Sequence, residues 1–125
     1  MIPTNKISQT ILEFGNPVIS QLPNGYTKEE LEAAISLVIL VWNAVVMDSW
    51  TPENRFEAEI LERISGEPKQ YQLVIKRLIK RKKSKYGNDP RGVGHYWVRD
   101  DNGEPVFGCE ARLNVNNAPA VGGVQ

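Results

Sequence analysis

Ten residues near the middle of the chain, Lys76 to Lys85, read KRLIKRKKSK and carry seven of its fifteen lysines and arginines. Cationic side chains at this density serve one purpose well: they displace the counterions condensed on a polyanion, above all on a nucleic-acid backbone. On a helical wheel Lys76, Arg77, Lys80, Arg81 and Lys83 fall opposite the stripe of Ile75, Leu78 and Ile79, as in any amphipathic surface helix. Two features go beyond that. No Asp or Glu occurs between Gln70 and Asn88, and Lys82 continues the apolar stripe itself, so the last turn reads as basic all round.

Two ordinary explanations compete. Cations near a helix C-terminus complement the macrodipole at about 0.3–1 kcal/mol each, which accounts for two or three of them and not for seven. Internal pairing is the other. From Lys28 to Glu67 nine acids stand against three bases, and from Lys69 to Arg99 ten bases against one acid. An acidic third helix beside the basic fourth would neutralise part of its flank.

Arg91, Trp97 and Arg99 extend the basic segment downstream. Bases stack on aromatic rings for about 1–3 kcal/mol each, so Trp97, between His95 and Arg99 on one strand face, is a candidate platform. Its plain alternative is to cover Gly108 across a strand pair. Paired Cys/His zinc spacing, an RNP-like aromatic strand and basic-zipper heptads are all missing. The charges crowd the C-terminal end of their helix, whereas recognition helices read bases from their N-terminal residues. The expected contact is therefore with the backbone, without sequence preference, through Lys76, Arg77, Lys80, Arg81, Lys82, Lys83, Lys85, Arg91, Trp97 and Arg99.

Catalytic patterns are sparse. One His and one Cys give no metal-ligand set, and GNDPRGVG lacks the lysine of a phosphate loop, so no metal or cofactor is expected. The carboxylate pairs Glu53/Glu57 and Glu59/Glu62 read as ordinary helix surface. One catalytic reading is kept in third place: a metal-free ribonuclease built on His95, with Tyr86, Arg91 and Arg99 for acid–base and electrostatic work.

These residues must be held by a chain of 125 residues, 41% apolar and 24% charged, with no net charge, which suits one domain spanning 1–125. A first helix is expected over Asn5 to Phe14, closed by Gly15, with a short turn from Pro17 to Leu22. Thr27 and Glu30 form a capping box for a helix from Lys28 to Met47 that is apolar on nearly every side. Its run from Ala33 to Met47 falls short of the roughly 18–20 residues of a membrane span, so it reads as a core helix. A narrow seam of Glu29, Glu32, Ser36 and Asn43 interrupts it, either as a solvent-facing edge with Asn43 hydrogen-bonded inside or as a stripe across a dimer interface.

Thr51 and Pro52 are expected to start the next helix and Gly66 to stop it, with Phe56, Ile60 and Ile64 facing inward. After Gly87 the period changes to two, and Asn102-Gly103 marks a hairpin bend. That bend sets Tyr96 opposite Cys109 and Val98 opposite Phe107 on an apolar side. His95 then faces Glu110, and Trp97 faces Gly108, on the other side. His95 and Cys109 are thereby kept on opposite faces and make no nucleophile–base pair.

The fold class expected is α+β: a bundle of about four helices over residues 5–86 around a nearly all-apolar central helix. A C-terminal antiparallel β-hairpin over 94–115 packs on it, followed by a tail at 116–125. A single cysteine and an N-terminus without signal character point to the cytoplasm and away from membranes. The leading functional expectation is a non-enzymatic module that binds a polyanion, with nucleic acid first. The alternative is a protein–protein adaptor for an acidic partner or a homodimer, using the seam or an exposed Trp42 or Trp50.

Overall fold

A helix apolar on nearly every side must be covered from most directions, and that requirement organises this fold. The computed structural model describes residues 6–51, 53 and 55–113; the tail at 116–125 and Pro52 lie outside them. Its elements are α1 (Ile7–Phe14), α2 (Asn16–Ile19), α3 (Lys28–Trp50), α4 (Phe56–Arg63), α5 (Lys69–Lys85), β1 (Gly92–Asp101) and β2 (Glu104–Arg112). The class is α+β. α3 lies at the centre, with α1, α2, α4, α5 and the two-stranded antiparallel hairpin packed around it.

By length and composition alone α3 is long and apolar enough to cross a membrane. Here its apolar sides are used as core. Ile35, Val38, Val41 and Trp42 have no exposed surface and meet Ile11 and Phe14 of α1, Ile75 and Leu78 of α5, and Val98 of β1 in one cluster. Trp42 is thus no surface anchor, which corrects the expectation of an exposed tryptophan there. The capping box forms as its spacing implies: the Glu30 amide donates to Thr27 Oγ1 at 3.1 Å, and the Thr27 amide to Glu30 Oε1 at 2.9 Å.

The start of α4 differs from expectation. Thr51 ends α3, its hydroxyl donating to the Met47 carbonyl at 3.4 Å, and α4 begins only at Phe56. The cap comes from Asp48, buried near the end of α3, whose two carboxylate oxygens accept the amides of Phe56 at 2.7 Å and Glu57 at 3.0 Å. A carboxylate serves two orphan N–H groups at a helix start where a hydroxyl serves one, and a negative charge suits that end of the dipole. α4 ends at Arg63, short of Gly66.

The hairpin has the register its turn dictates. Asn102 and Gly103 both have positive φ, 56° and 85°, as a two-residue type I′ bend requires. Tyr96 pairs with Cys109 and Val98 with Phe107, and these residues face the helices; His95 pairs with Glu110 and Trp97 with Gly108 on the outer side. The register shifts between Val93 and His95, which leaves Gly94 as an extra residue.

Asn43 lies beside that irregularity. Its amide nitrogen donates to the Val93 carbonyl at 2.9 Å and its oxygen accepts the Val93 amide at 2.7 Å, so one side chain does what a neighbouring strand would do. Ser36 and Tyr96 add a hydroxyl pair at 2.9 Å one stretch further along. Half of the seam therefore docks the hairpin.

Removing the Asn43 side chain leaves both polar groups of Val93 without these partners. Asn43→Ala should lower unfolding free energy by about 2–4 kcal/mol, against about 1 kcal/mol or less for Ser36→Ala, as read by urea denaturation. Amide hydrogen exchange in the N-terminal half of β1 should quicken in the Asn43 variant alone.

Candidate polyanion-binding face

α5 carries its charge on three different kinds of site. The inward group is Lys82, which follows Ile75, Leu78 and Ile79 along the buried stripe and is itself 2% exposed. Its Nζ donates to the carbonyls of Tyr86 at 2.7 Å and Asp89 at 3.0 Å, and stands 4.2 Å from the centre of the Trp42 ring. Burial lowers its pKa from the ordinary 10.5 to about 8, against the opposing pull of the Asp89 charge. Lys82 ties the end of α5 to the turn that follows. It cannot reach an external phosphate, and the expectation that placed it on the binding face is corrected: its position in the apolar stripe outweighs its charge.

Arg81 and Arg91 are also committed inside the molecule. Arg81 donates from Nε to the Phe14 carbonyl and from Nη2 to the Glu13 carbonyl, both at 2.9 Å, and so closes the C-terminal end of α1. Arg91 grips Asp89 through Nε at 2.9 Å and Nη2 at 2.7 Å, reaches Thr10 Oγ1 at 3.2 Å, and offers its own carbonyl to the Trp42 indole N–H at 2.6 Å. Burial works against the Asp89 carboxylate, but its bonds from Arg91 outweigh that and hold it below the usual range. Those same bonds raise the pKa of Arg91. Both guanidiniums were expected on the outer surface; the carbonyls and carboxylate of neighbouring segments claim them instead.

The outward group is Lys76, Arg77, Lys80, Lys83 and Lys85, all exposed. Lys83 pairs with Glu57 of α4, with about half of its side chain still in solvent, a contact worth about 0–1 kcal/mol. Among the described residues no carboxylate pairs with Lys76, Arg77 or Lys80. Among the described residues the acidic stretch upstream therefore pairs with α5 only through Glu57; Arg55, at the N-cap of α4, takes Glu59 at 3.6 Å. Between α4 and α5 lies a shallow groove of about 490 Å³, with Leu61 and Ile79 on its floor and Lys76, Lys80 and Lys83 at its rim. Glu57 and Leu61 were not expected at this site. Their i, i+4 spacing on one face of α4 was the available signal.

On the hairpin, Trp97 lies over Gly108, where any Cβ would fall 2.6 Å from the indole ring. His95 flanks the ring at 5.5 Å between centroids, and the Arg99 guanidinium lies 5.3 Å from its centre. The outer face of β1 thus holds a stacked row of His95, Trp97 and Arg99, with the indole half-buried. Tyr86 is absent from that row. It packs edge-on against Phe14 and Trp42 and donates its hydroxyl to Glu13, and burial together with that bond pushes its pKa up to about 12. With Tyr86 and Arg91 held in the internal cluster, the four groups of the ribonuclease reading do not converge.

Cys109 is half-buried opposite Tyr96, and desolvation pushes its thiol up to about 11, which keeps it protonated at neutral pH. Among the described residues no three His, Cys, Asp or Glu side chains gather where a metal would bind. Comparison with protein-family models, with curated proteins and with solved structures finds no match for this chain.

Lys82 supplies a pH signature of its own. The folded state holds this proton less tightly than the unfolded chain, so between about pH 8 and 10.5 the unfolded state binds more protons and stability rises with pH. Below that window both states are charged, and burying the ammonium costs roughly 3 kcal/mol. An NMR titration of the Lys82 Cε resonance should show a midpoint near 8. The stability of the wild type should climb between about pH 8 and 9.5, whereas Lys82→Met should lack the climb.

Proposed function

We propose that this chain is a non-enzymatic binding module that meets a polyanion through the outer face of α5, and that the polyanion is a nucleic-acid backbone read without sequence preference. One observation carries the reading. In a molecule of zero net charge, Lys76, Arg77 and Lys80 stand exposed on one helix without a carboxylate partner among the described residues. Like charges left together cost self-repulsion, and an anionic ligand would relieve it. Lys85 and the half-engaged Lys83 enlarge the face, and the Trp97–Arg99 pair on the hairpin offers a secondary contact to an unpaired base.

A second reading takes an acidic protein segment as the anion. It draws on the groove between α4 and α5, whose aliphatic floor of Leu61 and Ile79 fits an apolar side chain that a phosphate backbone does not carry. A cytoplasmic setting suits either partner.

The test is a salt titration of binding to generic duplex DNA, single-stranded DNA and RNA. The wild type should bind at about 50 mM salt, and log K should fall with log salt at a slope set by three to five phosphate contacts. The triple change Lys76→Glu, Arg77→Glu and Lys80→Glu should abolish binding while leaving the circular dichroism melt unchanged; Arg99→Ala should weaken single-strand binding alone. No nucleic-acid binding at low salt overturns this reading. In that case retention of an acidic peptide containing leucines, but not of polyglutamate, would favour the second.

A further inference from the structure

The docking of the hairpin leaves one stripe of α3 uncovered. Ala33, Ser36 and Leu40 are exposed, Leu40 at 45%. Beside Leu40 runs a groove of about 440 Å³ floored by Ala44, Met47, Phe56 and Ile60, walled by Tyr96 of β1 on one side and by Glu59 and Arg63 of α4 on the other. A single exposed leucine is ordinary. A leucine next to a trough with an apolar floor and polar rim on the same patch is a knob and a hole on one surface. That is the requirement of an isologous two-fold contact, in which each copy supplies both parts.

The charges at the ends of this stripe fit the same geometry. Glu29 and Glu32 lie on the Leu40 face near the start of α3, exposed and without a cation partner among the described residues. Two arginines stand on the α4 side: Arg63 on the groove wall, which has no carboxylate partner among the described residues, and Arg55 just before α4, held to Glu59 only at 3.6 Å and largely in solvent. Antiparallel packing about Leu40 carries the acidic end of one α3 to the α4 end of the other. Ala33 and Ser36, both small, permit close approach of the two helices.

We infer that the Leu40 stripe of α3 is the face of an antiparallel two-fold homodimer. Leu40 of each copy fills the groove of the other, and Glu29 and Glu32 meet the arginines at and before the other copy's α4. This surface is separate from the outer face of α5 and stands or falls without it.

Sedimentation velocity on the full chain from about 1 to 200 µM should show a concentration-dependent shift from 14.1 kDa to twice that mass. Leu40→Glu should abolish the shift while keeping the wild-type melt, since the side chain is exposed. Glu29→Arg with Glu32→Arg should weaken dimerisation at least tenfold, and adding Arg55→Glu and Arg63→Glu to the same chain should restore it. In a Cys109→Ser background, Leu40→Cys should cross-link to a dimer under mild oxidation. A monomer at every concentration overturns the inference and leaves the groove to a different occupant; so does a dimer that persists in Leu40→Glu.

Discussion

Burial of α3 is the constraint on which everything else rests. Ile35, Val38, Val41 and Trp42 have no contact with solvent, and each fully buried side chain of that size contributes about 1.5–3 kcal/mol. Because these residues point in several directions, a two-layer arrangement cannot cover them. α1 offers Ile7, Ile11 and Phe14, α5 offers Ile75, Leu78 and Ile79, α4 offers Ile60, and the hairpin offers Val93 and Val98. The peripheral elements can therefore be short and amphipathic: α1 and α4 have eight residues each, and each buries one side on a longer neighbour.

A core enclosed on most sides raises the question of where polar groups inside it find partners. In this molecule the inward polar side chains bond to backbone at the starts of elements and in the turns between them. Asn43 takes both groups of Val93, Asp48 takes the first amides of α4, and Lys82 takes two carbonyls of the turn after α5. Helix starts, strand edges and turns leave backbone groups that no ladder satisfies, so each joint between elements needs such a donor or acceptor. The same demand thins the basic face. Arg81, Lys82 and Arg91 serve joints, and solvent receives the cations whose positions on α5 point away from α3.

Much of this was legible in the residues. The changes of period, the Thr27/Glu30 box and the Asn102-Gly103 bend located α3 and the hairpin, and the bend alone fixed the pairing from His95 to Asp101. Local rules failed where a distant partner decides. Thr51 looked like a cap because it precedes a proline, yet Asp48 captures the amides from the end of the previous helix. The bulge at Gly94 lies beside the bond from Val93 to Asn43, fifty residues away; a glycine inside the strand was its local signal, but no local pattern announces the partner. Lys82 is a different failure. Its 75-78-79-82 spacing put it in the core stripe, and reading it by charge overrode correct geometry. The candidate site was legible as a charged helix; how many of its cations face outward was not, because that depends on carbonyls elsewhere in the chain.

The clip between Asn43 and Val93 has a further consequence during synthesis. α3 leaves the ribosome well before the hairpin exists, and at typical elongation rates several seconds separate the two. Throughout that interval the side of α3 that receives the hairpin and the unsatisfied side-chain amide of Asn43 lie on the nascent chain without their cover. Local helical contacts can assemble first, but the molecule cannot close until its last strands arrive. Misassembly of this chain is thus a hazard of vectorial folding, concentrated on one helix.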